Sequence, residues 1–176
     1  MADIFDLDKM RIKFFCALLD VWAHAMAKED DSDSAGKIGT LATVSEEIKG
    51  IIINRGTKGK LQAAAVESIR ESEILSSCKT DERTLNKIRI SIEKNGLKNP
   101  PVVRRFNNGY QLMSGSLQYE ACKKLDLEQM KVFLKDCSDD EAEELSLLDA
   151  FTKSGLQNLN PSLVNMVLRF YNTLLN

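Results

Sequence analysis

The spacing of hydrophobic and polar residues changes near residue 61 and divides the chain into two parts. Before that point, apolar residues recur every three or four positions, which predicts helices. After it, short apolar segments bounded by Gly, Pro and Asn predict strands and turns that alternate with helices. The pattern therefore predicts an α/β domain preceded by a helical extension.

The first 60 residues are predicted to form two helices joined by a linker. Residues 1–28 carry a broad apolar stripe, made of Met10, Phe14, Phe15, Leu18, Leu19, Val21, Trp22 and Met26. Such a stripe packs either onto the main domain or against a partner or second copy, and both interpretations stay open. Residues 28–39 are acidic and small, which is typical of a linker. Thr43 and Glu46 have the spacing of a capping box, which predicts a helix ending near Asn54 and a basic turn at 56–60. We thus expect an N-terminal helix and linker at 1–40, a short helix and turn at 41–60, and the main domain at 61–176.

The main domain is predicted to contain four strands and four helices. Asp81 and the pair Ser138 and Glu141 are expected to cap two of the helices, and Asn160-Pro161 to open the last one. The predicted strands are 61–66, 101–106, 110–113 and 130–134, with turns at 67–70 and 107–109. The predicted helices are 82–94, 116–125, 139–153 and the segment after Pro161.

Composition excludes several kinds of chemistry. The formal net charge is −2 and the pI is near 5.6, so any nucleic-acid contact requires a local basic patch. No apolar run is long enough for a membrane span, and we expect a cytoplasmic protein. The four cysteines form no C-x-x-C pair, which argues against a disulfide framework and a zinc site. The single histidine, His24, lies in an apolar helical segment, which argues against a Ser-His-Asp or Cys-His centre.

A family resemblance rests on SIEKNGLKNPPVVRRFNNGYQLMSGSLQYEACKKL, residues 91–125. This order of helix, N-G-L, proline, hairpin and S-G-x-x-x-x-E-A resembles the N-terminal domain of ParB proteins, within the ParB/sulfiredoxin superfamily. Residues 61–72 resemble the entry strand of that family, residues 134–151 its next strand and helix, and residues 157–161 the segment before a further helix. The resemblance implies a small mixed sheet with flanking helices and a role linked to plasmid or chromosome partition.

The phosphate motif of the family is altered in this chain. Nucleotide-binding ParB proteins carry G-E-R-R, and sulfiredoxins G-C-H-R, where this chain has Gly115-Ser116-Leu117-Gln118. The helix start would still offer amide donors to an anion, so these four residues are predicted to contact phosphate. Arg104 and Arg105 are predicted to supply charge for CTP or ATP with Mg²⁺. A serine in place of the cysteine excludes sulfiredoxin chemistry.

Charged residues cluster in two neighbouring segments. Residues 97–135 hold seven basic and three acidic residues, which predicts either a patch for DNA or nucleotide phosphate or merely solvated surfaces. Residues 136–149 hold seven acidic residues, which predicts an exposed acidic helix face or a metal site. The candidate oxygen ligands of such a site are Asp136, Asp139, Asp140 and Glu141.

Three hypotheses for function follow. The leading one is a stand-alone ParB-like module that binds nucleotide or DNA-associated partners, with weak or no catalysis. The residues up to 176 leave no room for the helix-turn-helix reader of the family, so operator recognition is not expected. The second hypothesis is a plasmid effector with nuclease or nucleoside triphosphatase activity. The third is a degenerate interaction module that dimerises through the N-terminal helix.

Overall fold

The chain folds into two units. A computed structural model describes residues 3–27, 34–55, 58–155 and 160–175. One unit combines Met1–Asn54 with Leu156–Asn176, and the other spans Arg55–Gly155. Within the described residues, no helix combines the length and apolar character needed to cross a bilayer.

The described residues of the first unit form three helices. They are α1 (Asp3–Ala27), α2 (Ser34–Asn54) and α7 (Pro161–Leu175). Their core comes from apolar faces with helical spacing, including Leu7, Phe14, Leu18, Leu41, Ile48, Ile52, Val164, Val167 and Tyr171. Phe14 of α1 contacts Tyr171 of α7 with ring centroids 5.8 Å apart. The last helix therefore groups with the N-terminal helices, whereas the sequence pattern assigned it to the 61–176 domain.

Helix α2 begins nine residues before the predicted cap. Thr43 does not cap it, because its hydroxyl donates to the carbonyl oxygen of Gly39 at 2.9 Å, inside the helix. Thr40 makes the same kind of bond to Gly36 at 3.0 Å. Threonine hydroxyls can be satisfied in this way within a helix, so the Thr43–Glu46 spacing was a wrong start signal. Residues 28–33 of the predicted linker, 56–57 of the basic turn and the side chain of His24 lie outside the described residues.

The second unit is a five-stranded mixed sheet with helices packed against it. The strands are β1 (Lys60–Ala65), β2 (Ile69–Glu71), β3 (Val102–Phe106), β4 (Gly109–Ser114) and β5 (Gln129–Leu134). Their order in the sheet is β1-β5-β3-β4-β2. The β1–β5 and β3–β4 pairs are antiparallel, and the β2–β4 and β3–β5 pairs are parallel. This confirms the predicted mixed α/β fold.

Four helices accompany the sheet. They are α3 (Glu73–Ser77), α4 (Glu82–Asn95), α5 (Ser116–Lys124) and α6 (Asp139–Ser154). Two predicted caps are confirmed: Asp81 accepts from the Arg83 amide, and Ser138 with Glu141 forms a complete capping box. These local signals are correct because each depends only on residues within one helical turn.

The segment after β1 differs from its prediction. Residues 67–70, predicted as a turn, contribute a 3-10 turn over Val66–Ser68 and the start of β2. Ile69 is buried and pairs with Tyr110 of β4, 41 positions further along the chain. The hydroxyl of Tyr119 also donates to the carbonyl oxygen of Ile69 at 2.8 Å. A three-residue strand fixed by such distant partners leaves no periodic signal in the sequence.

Leu112 tests whether the sheet core carries the stability of the second unit. It is fully buried on β4, so Leu112→Ala is expected to lower the free energy of unfolding by about 2–5 kcal/mol. Leu127→Ala is the control, because that side chain is 39% exposed and its loss should cost less than about 0.5 kcal/mol. Urea denaturation followed by circular dichroism measures both, and equal losses would contradict this assignment of the core.

Candidate functional site

The predicted phosphate motif forms a sharp corner between β4 and α5. Gly115 has φ +86°, which favours glycine, and a Cβ atom there would lie 2.8 Å from the Cα of Pro101. Ser116 begins α5, and the amide of Tyr119 donates to the carbonyl oxygen of Gly115 at 3.0 Å. The corner is therefore the strand-to-helix junction that the sequence predicted.

The corner holds a carboxylate from the same chain. Oδ1 of Asp149 accepts hydrogen bonds from the Gly115 amide at 2.9 Å and from the Ser114 hydroxyl at 3.2 Å. Oδ2 of Asp149 accepts from the Ser116 amide at 3.0 Å. Asp149 is only 4% exposed, so this contact lies in the interior, where an ionised carboxylate requires such partners. Two of the amides predicted to be available to phosphate thus already bind an anion.

The other two residues of the motif, Leu117 and Gln118, differ in their burial. Leu117 is 2% exposed and belongs to the core, so its side chain does not face a ligand. Gln118 is half-buried on the first turn of α5. The four residues do not form an open corner in this structure, because Asp149 fills it and Leu117 packs inward.

The two arginines do not converge on the corner. Nε of Arg104 donates to Gln111 at 2.8 Å, and its Nη1 donates to Asp139 at 2.7 Å. Arg105 follows Arg104 along β3, so its side chain leaves the opposite face of the sheet. Arg104 therefore directs its charge to Gln111 and Asp139 and not to a phosphate at the corner.

Three further basic residues of the predicted patch have partners within the unit. Lys135 is 2% exposed and donates to the carbonyl oxygen of Arg55. Lys124 pairs with Glu82 at 2.9 Å, and Lys123 lies over the ring of Tyr119. Lys135 is therefore removed from the surface, whereas Lys123 and Lys124 stay exposed beside their partners.

A buried ion cluster lies one helical turn beyond Asp149 on α6. Nζ of Lys153 contacts Glu71 at 2.8 Å, Glu120 at 2.9 Å and the carbonyl oxygen of Leu75 at 2.7 Å. The hydroxyl of Thr80 donates to Glu120 at 2.9 Å. Burial lowers the pKa of Lys153, but its hydrogen bonds to Glu71 and Glu120 more than offset this and raise the pKa above its usual value.

The ParB N-terminal domain model matches residues 53–151, which is more than half of the chain. This chain belongs to the ParB N-terminal domain family. The match spans the sheet, the corner and α6 up to Phe151, so Asp149 lies inside the family domain. The family resemblance stated from residues 91–125 is confirmed.

The curated relatives are partition proteins. The chain is 29% identical over 89 residues to the "Probable plasmid-partitioning protein ParB" of Xylella fastidiosa, covering 51% of this chain and 22% of that protein. It is 33% identical over 75 residues to the chromosome-partitioning protein Spo0J of Thermus thermophilus, covering 43% of this chain and 28% of that protein. The chain thus spans less than a third of the length of these relatives.

The chain is less similar to solved structures than to these relatives in sequence identity. Truncated ParB from Caulobacter crescentus, complexed with CTP-γ-S, has a TM-score of 0.47 at 18% identity and covers 55% of this chain and 56% of that one. Sulfiredoxin from Arabidopsis thaliana has a TM-score of 0.43 at 22% identity and covers 49% of this chain and 96% of that one.

A nucleotide phosphate does not fit the corner of this ParB-type domain in its present arrangement. The amides of Gly115 and Ser116 are bound to Asp149, and a second anion against that buried carboxylate would be repelled. The family's basic side chains are also replaced by Leu117 and Gln118.

The predicted metal ligands do not come together either. Asp139 is paired with Arg104, and Glu141 accepts from the Ser138 amide in the capping box. Asp136 and Asp140 are exposed. Across the described ranges, no three His, Cys, Asp or Glu residues are grouped so as to hold a metal ion.

Thiol chemistry has no support at the corner. Cys122 is fully buried on α5, and burial raises the pKa of its thiol. Burial raises the pKa of Cys137 to about 11, with Glu141 adding to the effect. Both side chains therefore remain thiols near neutral pH, and the thiolate is the reactive form.

Asp149 and Lys153 are the residues that sequence analysis missed. Asp149 lies in the acidic segment 136–149, but it is flanked by Leu147, Leu148, Ala150 and Phe151. A charge inside such an apolar run signals a buried group that needs a partner. The partner itself lies 34 positions away in the sequence, so the pattern could not identify it.

Removing the Lys153 ammonium tests the ion cluster. Lys153→Met leaves Glu71 and Glu120 without their cation, so we expect a loss of about 3–5 kcal/mol in unfolding free energy. Lys124→Met is the matched control, because its pair with Glu82 is exposed and should contribute less than about 1 kcal/mol. Urea denaturation at neutral pH measures both.

The pH dependence of the same contribution follows from the raised pKa. The stabilisation is complete below the pKa of lysine in the unfolded chain and is lost as pH rises through the higher folded value. A stabilising contribution that is already lost at neutral pH would contradict the assignment.

Proposed function

We propose that this chain is a DNA-segregation module of ParB type that binds DNA-associated partners and performs no nucleotide-driven step. Membership of the ParB N-terminal domain family supports the link to segregation. The plasmid and chromosome partition proteins among its relatives support the same link.

One observation carries the nucleotide-independent part of the proposal. The Asp149 carboxylate accepts the hydrogen bonds of the Gly115 and Ser116 amides, which are the donors that a phosphate would need. Arg104, one of the two arginines predicted to supply charge, is paired with Asp139. A module of this kind binds its partners through a preformed surface, without a ligand that switches its state.

Binding to duplex DNA with and without nucleotide tests the proposal. We expect a fluorescent duplex to bind weakly, as measured by anisotropy, because the net charge is −2. Binding should weaken as salt is raised, since exposed cations contact phosphates. Magnesium with CTP or ATP should leave the curve unchanged, and calorimetry with the same nucleotides at millimolar concentration should give no saturable heat.

Nucleotide-dependent DNA binding would contradict the proposal. If the chain does not bind DNA at low salt, direct contact with DNA is refuted, and only protein partners remain under the proposal. A nuclease function is not proposed, because Asp139 and Glu141 are engaged in structural contacts.

Self-association through α1 is a second proposal, carried by an apolar stripe in the first unit. Ile12 is 51% exposed and Leu19 is 40% exposed, and Phe15 lies between them at helical spacing. These residues and Leu168 of α7 line a cavity of about 620 Å³. A stripe that repeats every three to four residues is the seam on which a second helix packs. Because a second copy carries the same stripe, two chains can pack by two-fold symmetry.

Light scattering tests the self-association proposal. We expect the wild-type chain to have the mass of a dimer. The double variant Ile12→Glu, Leu19→Glu should have the mass of a monomer, because paired glutamates would repel across the seam. Ile90→Glu is the matched control, since Ile90 is 37% exposed on α4 of the other unit. A wild-type chain with the mass of a monomer would refute the proposal.

A further inference from the structure

The contacts of Asp149 have the form of an anion bound at a helix start. Two consecutive amides and one hydroxyl converge on its two oxygens at 2.9–3.2 Å. The amides belong to the N-cap residue Gly115 and to Ser116, the first residue of α5, a nine-residue helix whose dipole also favours negative charge. The corner therefore offers both donors and a favourable field to one oxyanion.

A second observation shows that the corner holds more donors than the carboxylate uses. The hydroxyl of Ser116 is 1% exposed and has no hydrogen-bond partner among the described residues. A buried hydroxyl without a partner costs stability, so it is uncommon in a purely structural contact. Its position on the residue after Gly115 leaves one buried polar group at the corner that Asp149 does not satisfy.

We propose that this corner is an oxyanion site which the chain fills with its own carboxylate, Asp149. The ligand class is a small oxyanion, either a carboxylate or a phosphate, and the internal ligand excludes external ones. This inference rests on the corner geometry and on the nucleotide-independent part of the proposed function, but not on DNA binding.

The internal ligand is held in place by its own helix. Lys153, four residues later on α6, contacts Glu71 and Glu120 in the interior. Withdrawing Asp149 would require α6 to shift against these contacts or would leave a buried carboxylate unpaired. A tethered ligand also has a high effective concentration, so an external anion competes poorly with it.

Vacating the site provides the decisive experiment. Asp149→Ala leaves the Gly115 and Ser116 amides without an acceptor, so the thermal midpoint should fall. Formate and inorganic phosphate should each restore it by about 5 °C relative to chloride at equal ionic strength, because a ligand that binds only the folded state raises its stability. The wild-type midpoint should not respond, because its site is filled.

Asp81→Ala is the matched control for this titration. Asp81 is also a carboxylate at a helix start, and it accepts from the Arg83 amide and the Thr84 hydroxyl. It is partly exposed, so water replaces it and added anions should have no specific effect. An Asp149→Ala midpoint that moves no more than that of Asp81→Ala would overturn the proposal. A response to formate alone would indicate a site sized for a carboxylate, and a response to both anions a general oxyanion site.

A measurement on the wild-type chain keeps the proposal testable if Asp149→Ala does not fold. The amide resonances of Gly115 and Ser116 should stay fixed in nuclear magnetic resonance spectra when millimolar phosphate or CTP is added. A saturable shift of these two resonances would overturn the inference, because it would mean that an external anion displaces Asp149. These resonances report on the corner alone, whereas anisotropy reports on DNA contact, so a failure of DNA binding can be distinguished from a failure of the filled corner.

Discussion

A buried carboxylate seated on two backbone amides organises the α/β unit. Asp149 joins the middle of α6 to the junction between β4 and α5, which are far apart in sequence. The contact satisfies amide donors that every helix start leaves without an internal partner. It also gives hydrogen bonds to a carboxylate that could not otherwise stay in the interior. The position of α6 on the sheet depends on this mutual requirement.

The same two helices are complementary at a second point. Ser116 and Glu120 are four residues apart on α5, as Asp149 and Lys153 are on α6. The helix start of α5 meets Asp149, and Glu120 meets Lys153. A slip of one turn would bring Asp149 towards Glu120, where like charges repel, so the pairing specifies the register of α5 against α6.

Charges that a nucleotide-binding domain would present to phosphate are used internally in this chain. Arg104 holds Asp139 at the start of α6, and Lys135 donates to a backbone carbonyl. Together with the filled corner, these contacts pair charges of the ParB-type domain with groups of the same chain, while the buried hydroxyl of Ser116 has no partner among the described residues. Its surfaces, including the apolar stripe at Ile12 and Leu19, remain for contacts with partners.

Local sequence was sufficient for features that depend on residues within one turn of each other. The Asp81 cap, the Ser138–Glu141 capping box, the hairpin at Asn107 and the family motif around Gly115 could all be read in this way. Three-dimensional packing alone brought Asp149 to Gly115 and Arg104 to Asp139, and grouped α7 with α1. The physical reason is that a charged residue in an apolar segment indicates only that a buried charge needs a partner. The identity of that partner depends on which helices and strands lie side by side in the fold.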